Sequence, residues 1–164
     1  MEISTDLFLG DSKKELKKIP DNSIDLIVTS PPYADQRKST YGGISADKYV
    51  EWFLPISEQL LRVLKPTGTF ILNIKEKVVE GERGTYVMEL ILAMRKQGWL
   101  WTEEFIWAFL CLCNRTSKHT GRVGLSASIF FRNPQMPRQK NGFPLLSLTQ
   151  TASQHKSSNQ NIFL

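Results

Sequence analysis

The sequence predicts an α/β fold built on a doubly wound, mainly parallel sheet, on three observations. Segments of strand and helix character alternate as βαβαβαβ through residue 107. The stretch Ile24 to Thr29 (IDLIVT) has strand length and an apolar character suited to a strand covered on both faces. After Trp107 no period of 2 or 3.6 is sustained, so an irregular or disordered basic tail is expected over 108–164.

Each element has its own warrant. Asp6 to Gly10 (DLFLG) reads as a short strand. Ser12-Lys-Lys-Glu15 has capping-box spacing, which starts a short helix at Ser12 that stops before Pro20. Ile24 to Thr29 is the next strand. Ser45 suits the N-cap of a long helical segment to Leu64, with Pro55 either kinking it or opening a second helix. Lys65-Pro-Thr-Gly68 is a turn before the strand Thr69 to Ile74. Thr85 to Gln97 carries apolar residues at helical spacing, and Gly98 stands where a C′ glycine belongs. Trp99 to Trp107 alternates as the last strand. Trp52, Leu60, Leu61, Leu90 and Ile91 are expected in the core.

A chain of 164 residues, 41% of them hydrophobic, is enough for one ordinary domain with a core. The N-terminus shows no basic n-region followed by an apolar h-region. The longest apolar run, Phe105 to Cys113, is too short to span a bilayer as a helix. Cys111 and Cys113 form neither a disulfide framework nor a four-ligand site, and His119 and His155 stand alone, so no metal is expected. A cytoplasmic protein is the default. The net charge of +5 is unevenly spread: residues 1–107 hold all 16 acids, whereas 108–164 hold seven Lys and Arg and no acid. The basicity therefore belongs to the tail, which lacks the interleaved aromatic pattern of a nucleic-acid surface.

In an open α/β sheet, ligands sit beyond the carboxyl ends of the strands. Two segments are expected there, Gly10-Asp11 and Ser30-Pro31-Pro32-Tyr33. The two prolines fix two φ angles and keep the preceding residue out of the α region. They also carry no N–H, so the segment offers carbonyl and hydroxyl acceptors beside the flat face of Tyr33. That set suits a planar group bearing an exocyclic amino group, as a nucleobase does. Gly-Asp-Ser at 10–12 is equally a good turn with an N-cap.

Over residues 7–107 the chain resembles the N-terminal part of the amino-group DNA methyltransferases of bacterial restriction–modification systems. The resemblance is carried by LFLGDS, SIDLIVTSPPY, YGG, LLRVLKPTGTFILNIKEK and LILAMRKQGWLWTEEFIW. It implies a partial Rossmann-like methyltransferase sheet and transfer of a methyl group from S-adenosyl-L-methionine to an amino group in double-stranded DNA. The serine form of the motif is the one typical of cytosine N4 as target, although the N4 and adenine N6 specificities overlap within the family. By resemblance, the target base is flipped out and Tyr33 stacks on it. The Ser30 hydroxyl and the Pro31 carbonyl accept hydrogen bonds from its amino group, Pro32 completes the motif, and Asp11 contacts the cofactor. Arg37, Lys38 and Tyr41 lie in the following loop, where DNA or the flipped nucleotide would pass.

One family element has no counterpart in the sequence. Nothing resembles the glycine-rich cofactor motif Asp-Pro-Phe-x-Gly-Ser-Gly, and the family pattern stops where the acids vanish. The expected division is therefore 1–107 as the N-terminal part of a methyltransferase catalytic domain and 108–164 as a non-homologous tail, read as frameshift-derived. Three readings stand beside an active enzyme: an inactive remnant, one half of a split enzyme whose partner chain supplies the cofactor motif, and a DNA-binding module without catalysis.

Overall fold

The computed structural model describes residues 6–35, 43–76, 78–110, 123–135 and 161–163. A four-residue helix α1 (Ser12–Glu15) runs into a 3₁₀ turn (Leu16–Lys18), followed by β1 (Ile24–Thr29), α2 (Ala46–Val63) and β2 (Leu64–Ile74). A two-stranded ribbon, β3 (Val78–Val79) and β4 (Glu82–Arg83), precedes α3 (Tyr86–Gln97). Then come β5 (Leu100–Leu110), β6 (Val123–Arg132) and β7 (Asn161–Phe163). The main sheet has the order β5-β6-β2-β1-β7. β1 is parallel to β2 and β7, whereas β6 runs antiparallel to β2 and β5, so four strands share one direction. No helix of the described residues is long and apolar enough to cross a membrane.

The core follows from alternation in the strands and period in the helices. Phe70, Leu72 and Ile74 of β2 are buried, whereas Thr69, Ile71 and Asn73 on the opposite face are half-exposed. With them are buried Phe53, Ile56 and Leu60 of α2 and Leu90, Ile91 and Met94 of α3. Trp52 and Leu61 are half-buried against this cluster. Trp99 donates from Nε1 to Ser57 Oγ at 2.8 Å, which satisfies both buried groups and ties the start of β5 to α2. Arg62 of α2 donates to the carbonyls of Ile19 and Leu16 at 3.0 and 2.8 Å and pairs with Asp21, fixing the chain that enters β1.

Several boundaries differ from expectation. Asp6–Gly10 is not a strand, and Leu7 and Leu9 are fully exposed. A strand needs a hydrogen-bonded neighbour, and both sides of β1 are taken, by β2 and β7. Asp11, not Ser12, caps α1: its Oδ1 accepts the Lys13 amide at 3.0 Å, while Glu15 pairs with Lys18. Pro55 opens no second helix, because α2 continues through it with the proline on the exposed side. Lys65–Gly68 is an interruption inside β2, skipped by the pairing with β1 between Ile24↔Leu64 and Leu26↔Thr69. Beyond Trp107, β5 extends to Leu110 and β6 inserts between β5 and β2. The alternation in β6 is short and follows a break, but Ile129 and Phe131 are fully buried, Phe131 against the rings of Phe70 and Trp99.

Candidate active site

Ser30 follows the last residue of β1, at the shared carboxyl edge of β1, β2 and β7. Pro31 is buried, Pro32 exposed, Tyr33 half-buried and Ala34 buried, so the motif turns from the sheet edge back over the core. The Ser30 hydroxyl is exposed, 3.5 Å from the Tyr33 hydroxyl and 3.5 Å from Asn73 Nδ2 of neighbouring β2. Asn73 was not singled out by the sequence. A carboxamide in an otherwise apolar strand (TFILNI) was the signal that could have found it.

The motif backbone is held from below. Tyr49 of α2 donates its hydroxyl to the Pro32 carbonyl at 2.9 Å, and the Pro31 carbonyl stays out of that bond. Tyr86 of α3 donates to the carbonyl of Lys75, just past β2. The two rings meet edge to face with centroids 4.9 Å apart. Burial, then the neighbouring Tyr86 and Tyr33, raises the Tyr49 hydroxyl well above its ordinary range. Burial likewise pushes Tyr86 up to about 12, opposed by a hydrogen bond with the Ala34 backbone and aided by Tyr33, Glu76 and Asp35. Both hydroxyls are therefore protonated donors at neutral pH.

Immediately after the motif, Asp35 takes a left-handed φ of 57°, and its N–H donates to the Ile44 carbonyl at 2.8 Å. That bond brings together the two ends of the loop carrying Arg37, Lys38 and Tyr41, which themselves lie outside the described residues. Cys111, Cys113, His119 and His155 also lie outside them. Asp11 is exposed, and its placed bond is the α1 cap. The structure thus brings Ser30, Pro31, Pro32 and Tyr33 together with Asn73, Tyr49 and Tyr86. The arrangement can present a hydroxyl and a carbonyl acceptor beside an aromatic ring on a stiff backbone. A recess lined by Arg95, Trp99 and Trp101 sits at the other end of the sheet, where β5 begins.

A family model described as DNA methylase, of the N6/N4 type, matches residues 24–143 and so runs past the composition break at 107. The type II methyltransferase M.PvuII of Proteus hauseri is 36% identical over 104 residues, covering 62% of this chain and 31% of the relative. The DNA adenine methyltransferase YhdJ of Escherichia coli is 40% identical over 73 residues, covering 42% and 24%. Among solved structures, the cytosine-N4-specific PvuII DNA methyltransferase superposes with a TM-score of 0.61 at 27% identity, covering 80% of this chain and 50% of that one. A putative DNA modification methylase of Thermus thermophilus, solved with S-adenosyl-L-methionine, shares the fold at a TM-score of 0.57 and 18% identity, over 80% of this chain and 54% of that one. The chain spans about a third or less of the length of these curated relatives and about half of the solved ones.

Proposed function

The chain belongs to the N6/N4 DNA methylases, and from that membership we propose that it serves transfer of a methyl group from S-adenosyl-L-methionine to cytosine N4 in double-stranded DNA. The observation that carries the reading is Ser30-Pro31-Pro32-Tyr33 at the carboxyl edge of β1, with its serine hydroxyl exposed and held only by long contacts and its backbone anchored. The flipped base stacks on Tyr33. Its amino group donates to Ser30 Oγ and to the Pro31 carbonyl, which draws the nitrogen lone pair out of conjugation and aims it for in-line attack. S-adenosyl-L-methionine, when bound, would supply the methyl as an electrophile and leave as the thioether once its methyl–sulfur bond breaks, and the amino proton displaced from the base nitrogen would be lost to solvent at the exposed motif. No covalent enzyme intermediate is formed, so positioning and electrostatics supply the rate.

The described residues fit the base-binding half of such a site. For the cofactor they offer the exposed carboxylate of Asp11, and the sequence has no glycine-rich cradle. We therefore read the chain as the motif-bearing half of a cytoplasmic methyltransferase, completed by a segment carrying the glycine-rich motif. The loop with Arg37, Lys38 and Tyr41 is assigned to DNA. The relationship to an adenine methyltransferase favours adenine N6 as the second reading.

The test starts from the coding DNA past residue 107, translated in all three frames. The chain is then expressed with and without the downstream polypeptide that carries the glycine-rich motif. Nucleosides from host DNA are separated by mass. N4-methylcytosine is expected only with both halves. N6-methyladenine instead would replace the cytosine assignment, and the absence of both modified bases would sink the proposed activity.

A further inference from the structure

A strand end that must hold a base to within fractions of an ångström cannot leave its backbone torsions free. From Ser30 to Pro32 nearly all of them are closed by covalent structure or sterics. Ring closure fixes φ of Pro31 and of Pro32. A following proline restricts Ser30 and Pro31 to the extended region, which limits ψ at both. The torsion left over is ψ of Pro32, the rotation that carries Tyr33 and swings the Pro32 carbonyl. That carbonyl is the one Tyr49 holds, at 2.9 Å, from a ring that is fully buried.

We propose that Tyr49 is a positioning residue for the motif: its hydroxyl closes the one open torsion of Ser30-Pro31-Pro32, and Tyr86 braces it. This rests on the function proposed above and deepens it. A phenylalanine would fill the same space in the core, so packing does not call for the hydroxyl. The Tyr86 ring stands against the Tyr49 ring, and its own hydroxyl is tied to the Lys75 carbonyl at the end of the adjacent strand. Two helices thus grip the carboxyl ends of β1 and β2 through backbone carbonyls. The spacing of Ser30 Oγ and the Pro31 carbonyl is set by the prolines themselves, and the Tyr49 grip fixes how the chain leaves them towards Tyr33. Tyr33 is carried directly on the constrained torsion, so the peptide plane from which its side chain springs is set by the same bond.

The test uses the full chain with Tyr49→Phe, and Trp52→Phe as a packing control, since Trp52 also contacts the Tyr49 ring, at 5.4 Å. Site-resolved amide exchange is read first. Tyr49→Phe is expected to speed exchange at Tyr33, Ala34 and Asp35 on the order of tenfold, with the central strands unchanged, while Trp52→Phe leaves those three amides alone. In the complemented methyltransferase, Tyr49→Phe should lower kcat on the order of tenfold with little change in KM. Unchanged exchange at the three amides, an equal effect of Trp52→Phe, or an unaltered kcat in an active enzyme would each overturn the inference. Should the complemented enzyme transfer no methyl group at all, the functional reading fails, and the exchange measurement still decides whether Tyr49 holds the motif.

Discussion

Ser30 is the residue on which the proposed chemistry turns. It is exposed at a strand end, and its contacts with Tyr33 and Asn73 are long, at 3.5 Å each. Such contacts contribute little to folding but leave the hydroxyl oriented for a third partner. Ser30→Ala should therefore change stability by less than about 0.5 kcal/mol and lower the methyl-transfer rate of the complemented enzyme on the order of a hundredfold. Single-turnover kinetics beside urea unfolding would read both. A rate within twofold of the parent would remove Ser30 from the mechanism. Ser30, Pro31, Pro32 and Tyr33 stood out in the sequence because their type and order suggest a chemistry. Tyr49 did not, because in DKYVEWF it looks like any aromatic on the inner face of a helix. Its partner lies 17 residues upstream, and a local pattern does not show that pairing.

At the scale of elements, β2 is the piece that sets the site, since it carries Asn73 and delivers Lys75 to Tyr86. Its start is interrupted at Lys65–Gly68, where the chain passes close to β1. A Cβ at Gly68 would lie 2.6 Å from Leu64 Cδ1 and 3.1 Å from the Asp25 carbonyl oxygen. Leu64 is fully buried, so moving it aside would disturb its core neighbours. Gly68→Ala should consequently destabilise the fold by about 1–3 kcal/mol, as overpacking does, seen as a lower urea midpoint at unchanged slope. A midpoint equal to the parent's would show that the strand accommodates the methyl group. The turn itself was readable from Lys-Pro-Thr-Gly. That it sits within one strand, and not before it, depends on Leu64 pairing with Ile24, a contact 40 residues apart in sequence. The same holds for DLFLG, whose apolar character reads as a strand until β2 and β7 occupy both flanks of β1.

For the molecule as a whole, the buried tyrosine pair couples the helix layer, the sheet and the motif, and it carries a pH signature. Tyr86 is raised from 10.0 to about 12, and Tyr49 is raised further, so the folded state keeps protons that the unfolded chain releases. Their contribution to stability is complete below about pH 10 and is lost as pH climbs through about 12. The urea midpoint should thus be insensitive to these groups near neutrality and fall in the alkaline range, with a shallower fall in Tyr86→Phe. An identical alkaline slope in parent and variant would contradict the assigned burial effect. The α/β class, the strand that ends at the motif and the acceptor character of the motif could be read from the chain alone, because these depend on local period, proline geometry and side-chain type. Which strands are neighbours, that β6 and β7 of the basic tail join the sheet, and that the Tyr49 hydroxyl holds the motif while the Tyr86 hydroxyl holds the end of β2, emerge from the three-dimensional fold. Those outcomes depend on pairings between distant segments, where burial and hydrogen-bond satisfaction, not local propensity, select the partner.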